Sequence, residues 1–233
     1  MRSNLHRLLL AGAIALAQPV LHAADDQVVP TRQEAHHVGK LENNTVRIVD
    51  VEIVPGDQTL FHEHAIDYAF VMINDASLSN QVWGKQPKDL TIRSGDVGYY
   101  RSASGAYIHR FSNVGQTKFR AIGIELLAPL APRAPVEPLP AVSGYVPVID
   151  NERVRGYRLV LEPGQEAQAA TLNGPSVRVV VGGGKVEQRT ASGTSEAIEL
   201  HPAAFEFRDD TAVVAALKNV GNSRVEIVEF EIK

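Results

Sequence analysis

The chain repeats itself, and the repeat constrains the fold more than any other feature. Residues 42–56, ENNTVRIVDVEIVPG, match residues 150–164, DNERVRGYRLVLEPG, at an offset of 108. Residues 113–125, NVGQTKFRAIGIE, match residues 219–231, NVGNSRVEIVEFE, at an offset of 106. Two landmarks at nearly one spacing predict a duplicated unit of about a hundred residues. Whatever the first copy folds into, the second must fold into as well.

Both copies are written in short runs rich in Val and Ile: 45–54, 68–73, 89–92, 119–127, 157–162, 176–183 and 224–232. Apolar and polar residues alternate along them, the period of a strand. Turn sequences separate the runs: VPGD, IND, RSGD, NVGQ, EPGQ, GGGK and NVGN. Glycines 182–184 read as a hairpin turn, since no phosphate-loop pattern follows them. Helical periodicity is scarce beyond the N-terminus, so an all-β barrel or sandwich is expected in each copy. Residues 127–141, LAPLAPRAPVEPLPA, hold five prolines and read as a stiff linker between units at 24–126 and 142–233.

The first 23 residues have a different character. Arg2 and Arg7 precede an uncharged apolar run from Leu8 to Ala17, and small residues follow at Ala23 and Ala24. This is the layout of a secretory signal peptide, and the run is too short for a membrane span of roughly 20 residues. An exported protein, periplasmic or secreted, with no membrane span in its mature form is expected. The chain has no cysteine, which excludes disulfides and thiolate chemistry. The formal net charge is −4, and losing Arg2 and Arg7 makes it more negative, which argues against nucleic acid as a partner.

The chemistry sits in the first copy. His62 and His64 are one residue apart in FHEHAIDYAF, so on a strand they share a face. His109, in SGDVGYYRSASGAYIHRFSNVG, is a third histidine within reach of a metal site. Gly56-x5-His62-x-His64, then Gly95-Asp96, then His109-x3-Asn113-x-Gly115, resembles the two motifs of the cupin family, and duplicated it resembles a bicupin. The resemblance implies two tandem cupin barrels of the jelly-roll, or double-stranded β-helix, type. It implies a divalent metal, Fe(II), Mn, Ni or Zn, on His62, His64 and His109.

The family expects a glutamate three or four residues after the second histidine, where this chain has Tyr68 and Ala69. Three arrangements stay open: Asp67 completes the sphere, Tyr68 stands in as ligand or supporting hydroxyl, or three histidines leave positions free. Tyr107 shares a strand face with His109 and is a candidate to bind substrate or move a proton, or else an aromatic that packs the barrel mouth. Arg101, near the same rim, is a candidate for holding an anion or a solvated surface residue.

In the second copy no histidine follows Pro163-Gly164, and Ala215 stands where the repeat puts the third ligand, so this copy is expected to be structural. His201 is expected at a turn or on the surface, and His36 and His37 as an exposed pair in an N-terminal arm, with a second metal site there as the lesser alternative. The leading functional expectation is a metal-dependent enzyme of dioxygenase, isomerase or lyase type acting on a small molecule. The alternative is a non-catalytic cupin that binds a metal or small ligand. Pairing into a homodimer is a further family expectation.

Overall fold

The computed structural model describes residues 27–127, 139, 143–189 and 193–233. The expected signal peptide, residues 1–23, and nearly all of the expected linker, residues 127–141, lie outside them.

The first half contributes β1 (Val28–Pro30), β2 (His37–Glu42), β3 (Val46–Ile53), β4 (Phe61–His64), β5 (Tyr68–Met72), β6 (Ala76–Val82), β7 (Lys88–Ile92), β8 (Val97–Tyr100), β9 (Tyr107–Asn113) and β10 (Phe119–Leu126). They form two sheets, ordered β1-β4-β9-β6-β7 and β2-β3-β10-β5-β8. The second half contributes β11 (Val146–Asp150), β12 (Val154–Leu161), β13 (Glu166–Ala167), β14 (Ala170–Leu172), β15 (Ser176–Gly182), β16 (Gly184–Arg189), β17 (Ser195–Leu200), β18 (Phe205–Arg208), β19 (Ala212–Val214), β20 (Ala216–Asn219) and β21 (Val225–Ile232). One sheet runs β11-β12-β21-β15-β18, facing β13-β20-β16-β17 and the pair β14-β19. Non-consecutive neighbours in every large sheet give the crossed-over connectivity of a jelly roll.

The repeat holds down to single hydrogen bonds. The Asn113 side-chain amide donates to the carbonyls of Ile53 and Thr117, each at 2.8 Å. Asn219 donates in the same way to Leu161 and Ser223, again at 2.8 Å. Gly56 and Gly164, both at positive φ, donate their N–H to the carbonyls of Asn113 and Asn219. The Pro-Gly turn and the Asn-x-Gly turn are therefore one clasp that closes each barrel.

β3 and β10 are buried on both faces, which explains why Val, Ile, Phe, Ala and Leu fill most of their positions, with a few charges among them. Val49, Val51, Ile53, Phe119 and Ala121 face the first barrel's interior. Val46, Ile48, Ile122 and Ile124 face outward into a core shared with Val154, Val177, Val228 and Phe230 of the second barrel. The charges these strands bury are paired: Arg47 Nη1 lies 3.0 Å from Glu125 and Arg120 Nη2 2.8 Å from Asp50. An unpaired charge at such depth would be strongly unfavourable.

Candidate metal centre

β4 turns His62 and His64 inward, and the antiparallel ladder sets His109 of β9 directly opposite His62. All three are buried. The Nε2 atoms of His64 and His109 lie 3.1 Å apart. Two nitrogens bound at about 2.1 Å to one ion at roughly a right angle would stand about 3 Å from each other.

The other ring nitrogens fix the tautomers. His62 Nδ1 is 2.9 Å from the Leu60 carbonyl and His109 Nδ1 is 2.9 Å from Asn80 Oδ1. Each Nδ1–H donates there, which leaves the Nε2 lone pair directed into the site. His62 Nε2 is buried and has no hydrogen-bond partner. Leaving such an acceptor unsatisfied costs about 1–3 kcal/mol, which a bound cation would recover. Burial, helped by neighbouring His37, pushes His62 down to about 4. Burial, then His62, pushes His64 down to about 2. Burial, then His62 and His64, drives His109 well below the ordinary imidazole range. Neutral imidazole is the form that binds metals.

Tyr68, not Asp67, takes the inward position after the histidine pair. Its ring stacks on His64 at 4.4 Å and 20°. Burial raises its hydroxyl above the ordinary range, so the phenol stays protonated. Asp67 points away from the cluster. Its carboxylate accepts hydrogen bonds from the Tyr99 hydroxyl at 2.9 Å and from Ser102 N and Oγ at 2.7 and 2.6 Å. Arg153, from the second half, approaches it to 3.5 Å. Burial works to raise the Asp67 carboxyl, but the Ser102 and Tyr99 hydrogen bonds and Arg153 together hold it below its usual value. The carboxylate is thus committed to the junction of the two halves, and alternation along the strand puts it on the opposite face from Tyr68.

Tyr107 reaches the cluster, its ring centroid 4.5 Å from that of His109. Its hydroxyl accepts a 2.9 Å hydrogen bond from the Asn80 amide, which leaves the phenolic proton available. Asn80 therefore orients both Tyr107 and His109. Nothing in the sequence marks it, because its partners are 27 and 29 residues away.

The expected exposed arm at His36 and His37 is corrected. A short 3-10 turn at Thr31–Gln33 leads into β2, whose ladder sets His37 opposite Val51, an inward position. His37 is buried, its ring 4.5 Å from that of His62 and 5.8 Å from that of His64. Ring nitrogens of His37, His62 and His64 all lie within 4.8 Å of one another. Glu34, also buried, takes His37 Nδ1 at 2.7 Å, His36 Nδ1 at 2.9 Å and the Leu60 N–H at 3.3 Å. Burial would raise the Glu34 carboxyl, but the hydrogen bonds from His37 and His36 bring it down to about 2. The pattern Glu-x-His-His was the available signal for this pair.

A cavity of about 480 Å³ opens on the cluster, lined by His37, His64, His109, Tyr68, Tyr107 and Asn80, with Val49, Val51, Phe70, Phe111, Ala121 and Gly123 among its apolar walls. No lysine or arginine is among the described residues that line it. Arg101 is exposed instead and pairs with Glu152 at 3.0 Å. His201 is on the surface, as expected, and among the described residues no helix is long and apolar enough to cross a membrane.

No protein-family model matches the sequence, and no curated protein matches it. Solved structures do. AerE from Microcystis aeruginosa superposes with a TM-score of 0.57 at 13% identity, covering 84% of this chain and 98% of that one. Salicylate 1,2-dioxygenase from Pseudaminobacter salicylatoxidans gives 0.53 at 13%, covering 83% and 75%. Oxalate decarboxylase from Bacillus subtilis, studied for its Mn(II) centres, gives 0.50 at 11%, covering 81% and 69%. These alignments extend over both halves of the chain, and its fold is that of the two-barrel cupins.

Proposed function

We propose that the first barrel holds one divalent metal ion on His62, His64 and His109, and that the protein is an enzyme acting on a small molecule in the adjoining cavity. The observation that carries this reading is the convergence of three neutral imidazoles, two with Nε2 atoms 3.1 Å apart and the third with a buried Nε2 that has no partner. A divalent metal at this place would supply Lewis acidity or, as iron or manganese, reactivity towards oxygen. The cavity does the rest. Its walls are mostly apolar, and the described residues that line it include Asp96 and Glu125 but no lysine or arginine, which favours a neutral, compact, ring-bearing substrate such as a phenol over a polyanion. Tyr107, positioned by Asn80, is placed to donate a hydrogen bond or a proton to that substrate. Tyr68 covers the face of His64 and limits the approach from that side. The basic and apolar N-terminal residues support export as the setting.

Elemental analysis of protein made without a histidine tag tests the reading. About one metal per chain is expected, and none after reloading with Fe(II), Mn, Ni or Zn would overturn it. Oxygen uptake by the Fe(II) form over a panel of phenols and small acids then tests turnover. A compound that stabilises the protein thermally and is recovered unchanged would instead make the barrel a binding module.

A further inference from the structure

We infer that His37 is a fourth ligand of this metal and that Glu34, bonded behind it, supplies the negative charge the site lacks at Tyr68. The inference rests on the metal reading above and goes beyond it by adding a residue from outside both histidine motifs. Three observations carry it. His37 presents a ring nitrogen within 4.8 Å of those of His62 and His64, from the opposite sheet. Its Nδ1 is taken by Glu34 at 2.7 Å, so the nitrogen left with a lone pair is Nε2. A carboxylate–imidazole–metal line of this kind raises the basicity of the ring and locks its orientation.

Glu34 is also built into the site twice. Besides holding His37, it accepts the N–H of Leu60, and the carbonyl of that same residue accepts the His62 Nδ1–H at 2.9 Å. One buried carboxylate therefore sets two rings, one directly and one through a single residue of backbone. The repeat supplies the third observation. At the offset of 108 the second barrel has Tyr145 for His37, as it has Ala170 for His62 and Leu172 for His64. The clasp residue Asn113 is kept as Asn219. His37 thus departs together with the other histidines, while the structural residue stays.

Spin-echo EPR of the Cu(II)-loaded wild-type protein counts bound imidazoles without any substitution. Four are expected, and three would overturn the inference while leaving the three-histidine site standing. Chelator competition with Co(II) gives the energetics. His37→Ala should weaken binding by about 100-fold and shift the visible Co(II) bands, with added imidazole restoring both. Glu34→Gln, which keeps an acceptor for the His37 N–H but removes the charge, should weaken binding by about tenfold. An unchanged affinity and spectrum in His37→Ala would overturn the inference. Should that variant fail to fold, the imidazole count and Glu34→Gln decide. Failure of the wild-type protein to bind any metal would instead strike the proposed function itself.

Discussion

At the place where β4 of the first barrel carries His62 and His64, β14 of the second carries Ala170 and Leu172. Where the ladder sets His109 opposite His62, it sets Val214 opposite Ala170, one residue before the Ala215 expected from the sequence offset. The inward positions of the central strands differ in the same direction. Val49, Val51, Ala121 and Gly123 line the first interior, and Tyr157, Leu159, Ile227 and Glu229 occupy the matching ladder positions of the second. All four of the latter are buried. Small side chains leave room for the cavity of the first barrel, and at the matching positions of the second barrel large side chains occupy that room. Adding even a Cβ at Gly123 would bring it within 2.9 Å of Val49. The second barrel spends the equivalent position on Glu229, whose carboxylate is paired with Arg178 at 2.5 Å and Arg208 at 3.1 Å. The histidines of the first interior converge on one point, whereas Glu229 of the second is neutralised by Arg178 and Arg208.

The comparison breaks most visibly if the histidines are replaced by their counterparts. His64→Leu should abolish metal binding, seen as metal content falling from about one per chain towards zero. Unfolding in urea should show the apo form no less stable, because an apolar side chain replaces a buried polar ring. A metal content equal to wild type would mean that the cluster is not the site. Truncating the counterpart residue itself, Leu172→Ala, should cost about 3 kcal/mol of stability through the cavity it leaves, with metal content untouched. Tyr107→Phe should retain the metal and the fold but reduce turnover about 100-fold if the phenol moves a proton. Loss of metal there would instead make Tyr107 a support for His109.

The smallest effect is expected at the junction. Asp67→Asn should lower stability by about 1 kcal/mol at neutral pH through weakened hydrogen bonds and leave metal content unchanged. The folded-state carboxyl is depressed, so its contribution is present above the unfolded value of about 3.9 and is lost as pH falls through the lower folded value. The difference from wild type should therefore vanish in acid. A drop in metal content in this variant would return Asp67 to the site.

Much of this was legible in the sequence. The repeat, the strand runs and the Pro-Gly and Asn-x-Gly turns give two β barrels, because local propensity and alternation suffice to define them. The pair His62-x-His64 and the distant His109 were readable because strand geometry puts i and i+2 on one face. His37 was not. It lies 25 residues before His62, and an isolated His-His at the start of a chain looks like an exposed arm until β2 is seen pairing with β3. Asp67 failed as a ligand candidate for a related reason: spacing places it near the histidines, but strand parity sends its side chain to Tyr99, Ser102 and Arg153. Asn80 had no local signal, since its partners lie on another strand, and the Glu34-x-His36-His37 pattern was a local signal whose place beside His62 only the fold shows.

The sequence by itself determined the element type, the duplication and which copy carries the histidines, all of which depend on periodicity and composition within one segment. Only the tertiary structure decided which side chains share a point in space. Strand pairing brings together residues from β2, β4, β6 and β9, and the direction each side chain takes depends on a register that no single segment contains.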